Sequence, residues 1–298
     1  MSVVAVLLML LAGTYGVAVL EDWASTGRFR PAGPVLSAAA LLGRESLVPR
    51  KPDRIFFEVA PPLLLVAAVL AAAVLPLAPG LIVADLATGA LFLTAALAYV
   101  MVALLMAGWG PDGAYAMVGG FRFLGQLVAY SMLIVMPITA VAMRAESLLT
   151  TEVVTSQAPL WNAAYQPLGF VLFWLAAMAV AFLPPFDLPN APGELAGGVE
   201  AEYTGWRLAV MRLARALLVF TLALAVTVFY LGGWFGPVLP PWAWTVAKTL
   251  AVAAVMLFVG RYVPRLREAD VLAWGWKYGI PLALVNIFYV GVVILGVA

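Results

Sequence analysis

Eight long apolar stretches alternate with short polar ones along this chain, and they predict membrane spans at residues 1–20, 55–77, 82–107, 121–143, 167–183, 206–231, 242–262 and 278–297. Each approaches the ~20 residues a helix needs to cross a bilayer's hydrocarbon core. The first stretch is uncharged and lacks a basic leader; its basic residues follow it. That order predicts an uncleaved span with its N-terminus outside. Within the polar segment 21–54, residues 35–47 predict a short amphipathic helix lying at the interface, ended by Pro49 and Pro52. A second short helix is predicted near 147–155, in the loop between the fourth and fifth spans. The other polar loops lie near 184–206 and 261–277. The architecture expected is all-α: eight tilted transmembrane helices plus the interfacial helix, one polytopic membrane domain over 1–298, both termini outside. No internal repeat is evident, which removes the usual sign of an inverted-repeat transporter.

The cations support this threading. Arg28, Arg30, Arg44, Arg50, Lys51, Arg54, Arg122, Arg207, Arg212, Arg215, Arg261, Arg265, Arg267 and Lys277 fall on one side, fourteen of the sixteen; only Arg144 and Lys248 do not. Such a bias marks the cytoplasmic face. Tryptophans near span ends (Trp161, Trp206, Trp234, Trp242, Trp244, Trp274, Trp276) suit interfacial anchoring. Composition narrows the chemistry further. The chain is 65% hydrophobic, carries a net charge of +1, and has no Cys and no His. Nucleic acid is not an expected partner. Disulfides, Cys-ligated clusters and His-ligated metals or haem are excluded. Proton chemistry falls to carboxylates, Tyr, Lys and water, and any redox centre must belong to another protein of the same assembly.

One polar segment stands out. Residues 184–203 hold Asp187, Glu194, Glu200 and Glu202, followed by Tyr203, with no Lys or Arg before Arg207. Four prolines near its start forbid a regular helix, and Gly197-Gly198 permits a tight turn. A solvated surface loop is the plain explanation; a bend solvated by a polar cavity or a partner is the functional one. Arg122, after Gly119-Gly120, is a candidate countercharge for Glu194 or Glu202. Lys248, one to two turns into the seventh span, either snorkels to the outer interface or lies on a proton path. Asp85 sits within a turn of the third span's outer end. Arg207, Arg212 and Arg215 recur at helical spacing and suit membrane-edge anchoring as well as chemistry.

At this bend the chain resembles the family of H-type membrane subunits that form the quinone site of respiratory complex I, and the homologous family in group 4 hydrogenases. The resemblance rests on Pro185-Phe186-Asp187-Leu188-Pro189, Glu194-Leu195, Gly197-Gly198 and Glu202-Tyr203, with Gly108-Trp109, Leu124-Gly125-Gln126, Leu231-Gly232-Gly233-Trp234 and Arg267-Glu268-Ala269-Asp270 in the family's order. It implies a multi-pass component of a bacterial inner membrane, not catalytic alone, in a proton-translocating NADH-quinone oxidoreductase or one using ferredoxin or another donor. The implied partners are peripheral iron–sulfur subunits, antiporter-like membrane subunits, the bilayer, and a quinone (ubiquinone or menaquinone) as substrate, with no metal or cluster on this chain. It further implies a quinone chamber and coupling path involving Arg28, Arg30, Arg122, Asp187, Glu194, Glu200, Glu202 and Tyr203, with Lys248 and Asp85 as intramembrane charges. The chain departs from the family in having Asn190 and Pro192 where carboxylates are usual, and Ser131 where a glutamate is. An anchoring and coupling component with a degenerate quinone site is therefore the alternative, and a stand-alone secondary transporter a second.

Overall fold

A computed structural model describes residues 2–191 and 193–297; Pro192 lies outside the described residues. The helices are α1 (Ser2–Thr26), α2 (Gly33–Leu42), α3 (Arg54–Ala73), α4 (Gly89–Trp109), α5 (Ala114–Ala145), α6 (Thr150–Thr155), α7 (Asn162–Tyr165), α8 (Pro167–Val180), α9 (Gly205–Tyr230), α10 (Pro241–Tyr262), α11 (Glu268–Trp274) and α12 (Ile280–Val297). A 3-10 turn, Gly198–Glu200, precedes α9, and a π turn, Gly275–Gly279, joins α11 to α12.

Helix α9 organises the bundle. It is apolar on every side beyond its first turns, and a helix of that kind belongs in the interior. Every residue from Ala216 to Tyr230 is buried, against α3, α10, α1 and α8. Where helices cross most closely, glycine makes room: a Cβ on Gly108 of α4 would lie 2.7 Å from the Ala116 carbonyl oxygen of α5.

Among the described residues seven helical elements are long and apolar enough to cross a membrane, rather than the eight expected: α1, α3, α4, α5, α9, α10 and the continuous α11–α12. The remaining expected span, 167–183, is the 14-residue α8, about 21 Å at 1.5 Å per residue. It starts inside the bundle, where the Gly169 amide donates to Asn286 Oδ1 (3.1 Å) and Asn286 Nδ2 donates to Gln166 Oε1 (3.0 Å). Non-helical backbone at such depth is tolerated because protein, not lipid, surrounds it.

Other boundaries move for local reasons. Residues 82–88 do not begin α4; the chain folds back at Gly80 (φ +74°), and Ala84 N–H caps the Ala73 carbonyl at the end of α3 (3.0 Å). Helix α5 begins seven residues before residue 121. Helix α2 ends at Leu42 instead of residue 47, because the backbone beyond it is drawn to the start of α9: Leu47 N–H donates to Thr204 Oγ1 (2.8 Å). It is also less amphipathic than expected, with Val35, Leu36 and Leu42 exposed and no charged residue. The basic loop expected to reach residue 277 is helical from Glu268, since Glu268 and Asp270 favour a helix N-terminus and Gly275 and Gly279 let the element close on α5, each within 3.3 Å of an α5 side chain if given a Cβ. Lys277 lies in the π turn, exposed beside Trp276 and Tyr278. Trp234, expected at the interface, is buried.

Candidate functional site

The acidic segment is seated on the bundle, not free in solvent. Its apolar residues Phe186, Leu188, Ala191, Leu195 and Val199 are buried and anchor it. From α5, Gln126 Nε2 donates to the Ala179 carbonyl (2.7 Å) and the Phe186 carbonyl (2.9 Å), tying the end of α8 and the bend to one side chain. Val199 N–H donates to the Pro189 carbonyl (3.2 Å). The same carbonyl oxygen would be 2.4 Å from a Cβ on Gly119 and 1.9 Å from one on Gly198, so both glycines are needed for the bend to sit where it does.

Two sets of ion pairs clasp the bend, one to the segment between α10 and α11 and one to α5, which also holds the start of α11. Arg265 grips Asp187 with two donors, Nε to Oδ1 at 2.6 Å and Nη2 to Oδ2, and Leu266 N–H donates to the Pro185 carbonyl (3.3 Å). Arg122 meets Glu194 Oε2 through Nη1 (2.6 Å) and Glu268 Oε2 through Nε (3.1 Å). Between the bend and α9 lies a cavity of about 310 Å³ whose lining includes Asp187, Asn190, Glu200, Arg212 and Arg215. Asn190 Nδ2 donates to Glu200 Oε1 (2.8 Å), while Arg215 Nη2 pairs with Glu21 of α1 (3.3 Å). A polar cavity with two carboxylates and two guanidiniums on its walls holds water readily and keeps carboxylates within reach of it.

A second cluster fixes the bend's exit. Arg207 is 8% exposed; its fork is bidentate on Glu58 of α3, Nε to Oε2 at 2.9 Å, and also donates to Ser46 Oγ. Its guanidinium lies over Phe57 (5.1 Å) and Trp206 (5.0 Å). Tyr203 stacks on Phe57 with ring centroids 4.7 Å apart and donates to the Ala107 carbonyl (3.3 Å). Burial pushes the Tyr203 phenol above its ordinary value, partly offset by Arg207, so it is a neutral donor at physiological pH.

The hydrogen bond and charge of Arg122 hold the Glu194 carboxyl below its ordinary range. A depressed folded-state value means the pair's stabilisation is complete above the unfolded glutamate's ~4.3 and lost as pH falls through the folded value. We expect amide protection factors at 193–199, exchange corrected for its intrinsic pH dependence, to be flat from pH 7 to 5 and to fall below ~4, an acid step that Glu194→Gln removes; a step near neutrality would contradict the pairing.

The structure brings Arg122, Asp187, Glu194 and Glu200 to one end of the bundle and leaves others apart. Glu202 is exposed at the start of α5, against Gly113, and not on Arg122. Arg28 and Arg30 are exposed past the end of α1, with no ion-pair partner among the described residues. Asp85 is exposed in the fold-back before α4, where Thr151 Oγ1 donates to it (3.3 Å), and not within a helix. Lys248 lies at the opposite end from the bend. Arg265, Glu268, Glu21 and Glu58 complete the site; no spacing along the sequence pairs them with Asp187, Arg122, Arg215 and Arg207, and long-range packing selects each. Glu58, a lone carboxylate inside the apolar run 55–77, is the one such signal in the sequence.

Residues 24–291 match the family model described as NADH dehydrogenase. The chain is similar to the first H-type subunit of NADH-quinone oxidoreductase from Geobacter metallireducens, with 34% identity over 291 residues, covering 94% of this chain and 88% of the relative. With an all-helical membrane architecture and an acidic bend clasped to the bundle, that match over nearly the whole length leaves one assignment: the chain belongs to the NADH dehydrogenase family that includes the H-type membrane subunits of NADH-quinone oxidoreductase.

Proposed function

We propose that this chain is the membrane component of a complex-I-like, proton-translocating oxidoreductase, inactive by itself, that docks the peripheral iron–sulfur arm, walls the quinone chamber and begins the proton-coupling path. The bend and the first basic loop face the cytoplasm in this reading. The observation that carries it is the bend clasped across one end of the bundle above a charged cavity of about 310 Å³. A quinone takes up one proton for each electron on its way to quinol. The electrons come from a cluster on another protein of the complex, and the protons from water held against Asp187 and Glu200. Arg122 keeps Glu194 ionised and the bend closed on α11.

The test is quinone reduction and proton pumping by the purified complex. Glu200→Gln leaves the Asn190 contact an acceptor but cannot carry a proton, and it should lower turnover by roughly 10²-fold, the low end of general acid–base effects. Glu194→Gln should lower it less, acting through the clasp. Unchanged turnover and pumping in Glu194→Gln, Glu200→Gln and Glu202→Gln together would reject the role of the bend.

A second reading, a coupling component with a degenerate quinone site, draws on one contact. Asn190 stands where the family usually carries a carboxylate and commits its amide to Glu200, and the cavity wall is charged where ligand pockets are mostly apolar. Density for a quinone within the complex would favour the first reading, and a filled or sealed chamber the second.

A further inference from the structure

At the end of the bundle opposite the bend, α9 stops at Tyr230 inside the protein. A helix end leaves four carbonyls without intrahelical partners, and in a membrane each must find one. Thr227 O accepts from the amides of Leu231 (3.1 Å) and Gly233 (3.0 Å). Val228 O accepts from Gln157 Nε2 (2.8 Å), and Phe229 O from Asn162 Nδ2 (2.7 Å). The chain then turns through Gly232 and Gly233, both at positive φ (68° and 46°). This turn exposes further carbonyls, and Lys248 of α10 collects them: Leu231 O (2.7 Å), Gly233 O (3.1 Å) and Phe235 O (2.7 Å). The Trp161 ring lies 4.4 Å from Nζ and the Trp244 ring 5.9 Å.

We infer that Lys248 is a positioning residue, a fixed cationic cap on the end of α9 and the 231–235 turn, and not a station on a proton path. An ammonium has three N–H donors and no acceptor, and three convergent carbonyls use all of them. The negative end of the α9 dipole and two aromatic faces favour the same charge. A relay station must hand its proton to a neighbouring base. Lys248 has no carboxylate partner among the described residues, and its acceptors are backbone carbonyls, far weaker bases than an amine. The cap, with Gln157 and Asn162, closes this end of α9 with internal partners, while the half-buried Lys248 side chain also borders an apolar cavity of about 410 Å³. That closure matters to function on the reading that the complex holds a proton gradient; the cap itself does not depend on that reading.

The experiment uses the whole complex in liposomes with Lys248→Arg and Lys248→Met. Arginine keeps charge and donors but cannot release a proton. It should retain turnover and pumping within about twofold, and slow exchange at residues 231–235. Methionine leaves the carbonyls unpaired, so exchange there should rise by roughly tenfold or more, equal to ~1.4 kcal/mol per decade, with a larger passive proton leak. Should Lys248→Met fail to assemble, Lys248→Gln, which retains two donors, takes its place with a smaller rise. The proposal is overturned if exchange at 231–235 is unchanged in the uncharged variants, or if Lys248→Arg keeps that exchange slow yet loses pumping, the signature of a proton carrier. Exchange reports the cap whatever the electron acceptor proves to be, so a failure of quinone reduction in the unaltered complex would count against the functional reading alone.

Discussion

Arg265→Ala should free the bend and lower the stability of that end of the bundle by about 3 kcal/mol, the low end of the ~3–5 kcal/mol for stranding one partner of a buried ion pair. The low end applies because the Arg265 side chain keeps 28% of its exposure, whereas that of Asp187 keeps only 10%. The stranded group is thus a carboxylate with little access to water, the costlier half to abandon. Asp187→Asn leaves Arg265 able to swing toward solvent and should cost less. The double variant should recover much of the loss, since neither charge is then buried without a partner; two neighbours in one pair are not additive. Hydrogen exchange over 185–199 and the thermal midpoint of the purified complex measure all three. Arg265→Ala should also depress quinone reduction, because the cavity wall moves with Asp187. A double variant no more stable than Arg265→Ala would refute the pairing as the source of the effect.

Gly198→Ala should be nearly as severe for a steric reason. At φ +54° the residue already occupies backbone space that an L side chain enters at a cost. The added Cβ would lie 1.9 Å from the Pro189 carbonyl oxygen and 3.0 Å from the Asn190 Cα, both backbone, so nothing can rotate away. The bend must shift as a body, which would pull Glu200 off Asn190. We expect a loss of about 2–4 kcal/mol, combining strained φ with overpacking, and at least a tenfold fall in turnover. Gly193→Ala is the control: nothing lies within 4 Å of its Cβ, and its effect should be negligible. Equal behaviour of the two variants would show that the bend is not seated as described.

Hydropathy located all seven of the described helices that are long and apolar enough to cross a membrane, and one stretch, 167–183, whose helix is shorter, because burial in lipid demands long uninterrupted apolar runs with all backbone groups bonded within the helix. It failed where protein replaces lipid. Helix α8 begins at the depth of Asn286, and its apolar length is shortened by partners that only the fold supplies. Residues 82–88 are apolar enough to extend α4 but are used to cap α3. Residues 268–277 read as part of a basic loop, whereas contact of Gly275 and Gly279 with α5 lets them continue into the last span.

Residue type and order are enough to establish the class of this protein: an apolar, thiol-free and imidazole-free helical membrane chain with four carboxylates gathered in one proline-broken bend. They suffice because solvation of side chains and of the backbone is a local property. Long-range packing, by contrast, assigns Asp187 to Arg265, gives Arg122 to both Glu194 and Glu268 while leaving Glu202 apart, and sets Lys248 as the cap of α9. Those pairs join residues from 13 to 146 positions apart, and among sixteen cations and fifteen carboxylates no local rule selects which will meet. A charge drawn out of water must find its partner in three dimensions, and the helices that bring the partners together are positioned by apolar contacts far from either one.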